Sequence, residues 1–350
     1  DGLQAKDIHA RLLDLPVRLN IRSALASENG QGAGRAVLGQ LYGEIGAAEI
    51  APYLPAALRG RLAGGTRWQA EVGMNAGGKS EFKLTSDLVG LAINLPVPLG
   101  KTAEMEMPLS ASKESVNGGA KPGASGGDGV DAVLVRYGDL LSLRAQRPKD
   151  GPARVHVHFG GGEATAPTDS GLWISGALRQ LDLDAWKPLM PAARTPAAAD
   201  AGVLPLREAN IVFNELQLFN RRLNDTHIKL RPSAGGWRLA VTGREITGEV
   251  ATVPVGNKVN VLANFKRLSV PDILPGKKQA RSVGSDDTLV SLLAGLDLSA
   301  DSFVMQNHDL GELHLRLAPD NQATLSSAGL RMENFQLKNA DGVLRGKGVL

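Results

Sequence analysis

The chain has 350 residues, with 39 Lys and Arg against 36 Asp and Glu, a net charge of +3 and a pI near 9.1. Its basic residues are scattered among acidic ones, which speaks against the basic stripe with interleaved aromatics of a nucleic-acid binder; no nucleic acid is expected as partner. Cysteine is absent, which excludes disulfides, thiol catalysis and Cys-ligated zinc.

Aromatics are only 4% of residues, while Gly (42) and Pro (19) are plentiful. That balance predicts a mostly β, antiparallel, repetitive chain with many turns and a few short helices. No stretch approaches 18 consecutive apolar residues, so no membrane-spanning helix is predicted. The sequence starts at Asp1 without Met and stops inside an apolar–polar pattern, so it reads as a piece of a longer protein or one whose leader was removed.

In chain order, residues 1–116 read as a β segment with a short helix near 50–62. Pro52 and Pro55 stand at that helix's start and Gly64-Gly65 after its end. Trp68, Ala70, Val72 and Met74 then alternate with Gln69, Glu71 and Gly73, the period of a strand with one oily face. Gly73-Met-Asn-Ala-Gly-Gly78-Lys79-Ser80 matches a phosphate-binding loop pattern. That loop works only if a helix follows it. Phe82 and Leu84 alternate with charged and polar residues instead, so a hairpin turn at 75–78 is the expectation.

Residues 117–130 form a Gly-rich loop, and 131–190 a second β segment in which Val155, Val157 and Phe159 alternate with Arg154, His156 and His158. Asp184 is expected to cap a short helix stopped near Pro188 or Pro191. An Ala/Pro linker covers 191–205, a β unit 206–274, a polar loop 275–288 and a further β unit 289–350, with a weak helical signal over Thr288–Leu296. Val259, Val261, Ala263 and Phe265 alternate in the first of these units, with Leu262 breaking the pattern; Leu313, Leu315 and Leu317 alternate in the second. The two units repeat. LQLFNRRLNDTHIKLRP (Leu216–Pro232) aligns without gaps to FVMQNHDLGELHLRLAP (Phe303–Pro319), 87 residues on, with five identities including Asn220/Asn307 and His227/His314.

Chemical constellations are sparse. His156 and His158 share a strand face but have no third metal ligand close by other than Glu163 and Asp169, so two polar-face histidines are expected and no metal. The G-x-S-x-G of a nucleophile elbow is absent. Asp182/Asp184 and Asp286/Asp287 sit where capping explains them. Trp173, Trp186 and Trp237 read as packing anchors. No catalytic residue and no cofactor are expected.

Four phrases carry a resemblance: YLPAALRGRLAGGTRWQAEVGM (Tyr53–Met74), LTSDLVGLAINLPVPLGK (Leu84–Lys101), GLWISGALRQLDLDAWKPL (Gly171–Leu189) and GWRLAVTGREITGEV (Gly236–Val250). They are similar to segments of the AsmA-like family of bacterial envelope proteins. The resemblance implies a long, curved β-sheet forming an elongated groove, held to the inner membrane by an N-terminal helix absent from this chain and reaching through the periplasm. It further implies a bridge-like carrier with phospholipid, the inner and the outer membrane as partners, and no enzyme activity. A non-enzymatic scaffold for outer-membrane proteins or envelope integrity, with other envelope proteins as partners, is the alternative.

On the carrier reading, the acyl chains would lie on the oily strand faces. The expected lining is Trp68, Val72, Phe82, Leu84, Val133, Val135, Val155, Val157, Phe159, Leu172, Ile174, Leu239, Val241, Val259, Val261, Phe265, Leu313, Leu315 and Leu317. The same alternation would serve a sandwich in which the oily face meets a second sheet.

Overall fold

The computed structural model describes residues 4–12, 15–25, 35–54, 58–74, 80–116, 130–148, 151–189, 204–233, 235–256, 258–271, 293–319 and 330–349. The chain divides into two compact units, Asp1–Gly176 and Ala177–Leu350. The Gly-rich stretch 117–129, most of the 191–205 linker, the 275–287 loop and the turn at 75–78 lie outside the described residues.

The first unit contains β1 (Gln4–Leu12), β2 (Leu15–Leu25), β3 (Arg35–Gly46), β4 (Leu62–Met74), β5 (Ser80–Ser86), β6 (Leu91–Ile93), β7 (Leu109–Val116), β8 (Val130–Tyr137), β9 (Leu141–Arg147), β10 (Arg154–Phe159) and the start of β11 (Gly171–Asp182). Successive strands pair antiparallel, except that β5 pairs with β7 while β6 pairs with the start of β4. β10 and β11 are parallel. The connection 160–170 carries the chain back to begin β11 beside the start of β10.

The second unit starts with the remainder of β11, which leads into α2 (Leu183–Trp186), extended by a 3-10 turn over Lys187–Leu189. There follow β12 (Leu206–Leu218), β13 (Arg221–Ser233), β14 (Gly236–Thr242), β15 (Ile246–Val255), β16 (Lys258–Val270), β17 (Leu293–Met305), β18 (His308–Pro319), β19 (Leu330–Asn339) and β20 (Gly342–Val349). All neighbours are antiparallel except the parallel pair β16 and β17. In neither unit do the described strands close into a barrel, since β1 has no pairing with β11 and β12 none with β20. The mostly β, mostly antiparallel expectation holds, with one parallel step in each unit.

The repeat recurs in the strand starts and in the turn between them. β12 and β17 each run 13 residues from Leu206 and Leu293, 87 apart, and β13 and β18 open at Arg221 and His308, again 87 apart. The turns between them are Phe219-Asn220 and Gln306-Asn307, with φ of 53° and 56° in one and 50° and 64° in the other. Two successive left-handed residues make the primed two-residue turn whose twist suits a hairpin.

Three helix expectations need correction. Among the described residues, which leave out 55–57, the helix placed near 50–62 is earlier and shorter: α1 (Ala47–Ile50) passes into a 3-10 turn over Ala51–Tyr53. Pro52 has no N–H to continue an α-helical ladder, and β4 has already begun by Leu62. In α2 the cap is Asp182, whose carboxylate accepts from the Ala185 N–H at 3.0 Å, and not Asp184. Leu293–Leu296, expected to end a helix, opens β17 because its partner strands β16 and β18 take it into the sheet. No described helix is long and apolar enough to cross a membrane.

Candidate functional site

Side chains alternate along a strand, so the register of each pairing decides which residues form a line across the sheet. In the first unit one such line runs Ile8–Leu19–Leu41–Ala70–Leu84–Ala111–Val135–Leu143–Val157–Ile174, one residue per strand and none of them polar. The parallel step does not disturb it, because Val157 still pairs with Ile174. The adjacent line, on the opposite face, is His9–Arg18–Tyr42–Gln69–Thr85–Ser110–Arg136–Ser142–His158–Ser175. The alternation read along single strands therefore adds up to one oily and one wet face.

The candidate residues fall on that oily face. Leu84, Val135, Val157 and Ile174 belong to the line just given. Val72, Phe82, Val133, Val155 and Leu172 form the next one, interrupted by Lys113. Lys113 sits there as an ion pair, its Nζ 2.7 Å from an Asp131 carboxylate oxygen. Trp68 and Phe159 stand two residues further along their strands, in step with the same face. The face is not roofed by a second layer at its middle: Phe82 is 38% exposed and Val133 41%.

Over β3, β4 and β5 the face forms a cavity of about 510 Å³. Trp68, Val72, Phe82 and Leu84 line it together with Leu41, Ile45, Ile50, Thr66, Ala70, Ser86, Leu88 and Leu109. The Trp68 indole lies against Gly43, where an added methyl would meet the ring at 3.1 Å. Glycine at 43 is thus the reason a tryptophan can lie flat beside β3. Ile50 reaches the cavity from α1, which contacts β3 and β4. Leu41, Ile45, Ile50, Leu88 and Leu109 were not among the residues read from sequence. β3 does carry Leu41 and Ile45 at period two, but Gly43 and Leu38 blur the pattern.

Leu88 is the least legible wall. It is buried, and its backbone is left-handed at φ 54°. Its carbonyl accepts from Lys101 Nζ at 2.8 Å, and the same ammonium donates to the carbonyls of Leu91 at 2.6 Å and Thr102 at 2.9 Å. Burial holds the Lys101 pKa below its ordinary value, a pull opposed by the nearby Glu104 and Asp87 carboxylates. All three protons of the ammonium are used, so this lysine ties the loop between β5 and β7 and is not a free cation.

The phosphate-loop match fails on its own flank: Ser80–Ser86 is strand β5, paired antiparallel to β4 from Met74↔Ser80. His156 and His158 face the wet side. Three of their ring nitrogens have partners: His156 Nε2 and His158 Nδ1 each lie 2.8 Å from Ser175 Oγ, and the Thr165 N–H donates to His156 Nδ1 at 2.9 Å. Burial, the largest influence, lowers the His156 pKa; the Thr165 carbonyl oxygen, 3.1 Å from Nδ1, opposes this and neighbouring His158 adds to it. Among the described residues no group of three or more His, Cys, Asp or Glu is placed to hold a metal. Trp173, across from His156, donates weakly to the Asp169 carbonyl at 3.4 Å.

In the second unit the corresponding lines are Ile211–Ile228–Val241–Gly248–Phe265–Ala300–Leu313–Leu337–Leu344 and Ala209–Leu230–Leu239–Val250–Ala263–Leu298–Leu315–Phe335–Gly346. Val259, Val261 and Leu317 lie on the same face. Here the middle of the face is filled: Val241, Ala263, Phe265, Ala300 and Leu313 are a buried cluster, with Phe303, Phe335 and Leu268 among the side chains packed on it, while Leu344 on β20 is 61% exposed. Leu262, which broke the alternation, is exposed on the other face.

With that geometry in hand, the chain can be set beside known proteins. The family model described as YhdP protein matches residues 1–349. The intermembrane phospholipid transporter YhdP of Escherichia coli (strain K12) is 25% identical over 221 residues, covering 61% of this chain and 16% of that protein. The chain therefore spans only a small part of that relative's length. No solved structure matches it. A family model aligned from the first residue to the last but one is decisive where pairwise identity is low, and on that match the chain belongs to the YhdP family.

Proposed function

We propose that this chain is a section of a phospholipid carrier, holding acyl chains on the oily face of its sheet while head groups stay in water. The observation that carries the reading is the ten-strand apolar line beside a partly open cavity whose walls are almost wholly aliphatic and aromatic. Each methylene laid there leaves water at a gain of roughly 0.8 kcal/mol. A face made of similar side chains from strand to strand gives a lipid no single deep stop, so it is held yet can move. Carriage, and not catalysis, is the role. The name of the Escherichia coli relative supports phospholipid as the cargo.

In this reading the whole protein works between the inner and outer membranes, anchored by an N-terminal helix outside this chain, and Trp68, Val72, Phe82, Leu84, Val133, Val135, Val155, Val157, Phe159, Leu172 and Ile174 line the track. The test is direct. Protein purified in mild detergent is extracted and its phosphorus assayed, and transfer of fluorescent phosphatidylethanolamine between vesicles is followed with and without it. Stoichiometric phospholipid and accelerated transfer, both reduced in Phe82→Asp, are the expected results. Phospholipid-free protein that leaves vesicle exchange unchanged would sink the reading.

A further inference from the structure

The two units spend the same alternation differently. Both units place small residues among the larger ones on their apolar lines, Ala70 and Ala111 in the first and Gly248, Ala263 and Ala300 in the second. In the first unit the face around Ala70 is left as a cavity of about 510 Å³, within the range of about 300–1,000 Å³ usual for small-molecule sites. In the second unit phenylalanines occupy the equivalent space. Phe265 is only 7% exposed, and Phe303 and Phe335 pack against its cluster. Gly248, next to Phe265 across the sheet, has no room for a side chain, because a methyl there would run into the Asn264 carbonyl oxygen and lie 2.7 Å from the Phe265 ring. The ring thus fills space beside a glycine within the buried cluster.

We infer that acyl chains occupy the apolar face of the first unit and are excluded from that of the second, where the protein's own phenylalanines stand in for them. The inference rests on the phospholipid reading above and divides it between the units. A filled core has no volume to yield to a ligand without displacing its own side chains, whereas half-exposed Phe82 and Val133 gain cover when a chain lies over them. The occupant of the first unit is an acyl chain and not a peptide, because the cavity walls offer few partners for the backbone N–H and C=O groups a peptide would bring.

The experiment replaces one phenylalanine at a time by p-azidophenylalanine, at Phe82, Phe265 and Phe335, in the whole protein. Each variant is checked for wild-type trypsin resistance, mixed with vesicles of phosphatidylethanolamine and phosphatidylglycerol bearing radioactive phosphorus, and irradiated. Phe335 is only partly buried, so it serves as reporter for the second unit should the azide at Phe265 disturb folding. Label at Phe82 and none at Phe265 or Phe335 is the expected result. Label in both units would overturn the division while leaving phospholipid carriage intact. Label at no position would overturn the division together with the carrier reading on which it rests.

Discussion

An ammonium withdrawn from water is tolerable only when its protons all find acceptors, and Lys101 meets that condition through the Leu88, Leu91 and Thr102 carbonyls. Replacing it by Met keeps much of the stem's packing but strips the buried Leu88 and Leu91 carbonyls, and the more exposed Thr102 carbonyl, of their donor. Lys101→Met should therefore lower stability by on the order of 3 kcal/mol, read as a drop in urea midpoint and as early proteolysis between Asp87 and Pro108. Nothing in the sequence marks this lysine out from the other basic residues, because its acceptors are backbone groups brought together by a left-handed turn at Leu88. His156 makes a second prediction, on pH. Its folded pKa lies below the ordinary 6.5, so as pH falls through that value the unfolded chain takes up the proton first. The contribution is complete at neutral pH and is lost on acidification toward the lowered value. Stability should decline as pH falls below about 6.5, and the decline should be shallower in His156→Asn. An unchanged slope in thermal melts would remove His156 from the account. That the two histidines face the wet side was legible from period two; that Ser175 joins them was not, since only the parallel β10–β11 pairing brings it there.

At the scale of the element, the β12–β13 hairpin turns on Phe219-Asn220, and a left-handed phenylalanine is costly. The turn is held from outside: the Asp184 carboxylate accepts from the Phe219 N–H at 2.9 Å and the Asn220 N–H at 2.7 Å. Asp184 is thus a cap, but for a turn 35 residues away and not for its own helix. Asp184→Ala should cost about 1–2 kcal/mol, the range of a lost helix cap, while Asp184→Asn, which keeps one acceptor, should recover part of it. Equilibrium unfolding of the three proteins, with amide exchange at Phe219 and Asn220, checks both. The hairpin and its copy 87 residues on could be found from sequence because the polar turn residues and the alternating flanks repeat together. Helix bounds could not, for α1 and α2 are single turns whose place is set by strand ends and by Pro52 more than by any 3.6-residue pattern.

For the whole molecule, the wet and oily faces were readable strand by strand, since period two needs only local sequence. What no local pattern contains is whether the oily face is open or filled. That depends on which residue stands beside which across strands: Gly39, Ala70 and Ala111 beside larger neighbours in one unit, Phe265 beside Gly248 in the other. A matched pair of substitutions exposes the difference in energy. Leu84 lines the open cavity and is half-buried, so a carboxylate in its place can keep water. Leu84→Asp should cost roughly 1–2 kcal/mol, the lost transfer of a partly buried leucine. Leu313 lies at 5% exposure inside the packed cluster of the second unit. There Leu313→Asp loses the packing and leaves a carboxyl without partners, at a cost of at least about 4 kcal/mol. Urea titration of each variant, with phosphorus assayed in the purified protein, separates two roles. Leu84→Asp should stay folded and lose lipid, while Leu313→Asp should unfold its unit first. Equal destabilisation by the two would mean that the oily face is equally closed in both units, and that the open cavity is not the feature distinguishing them.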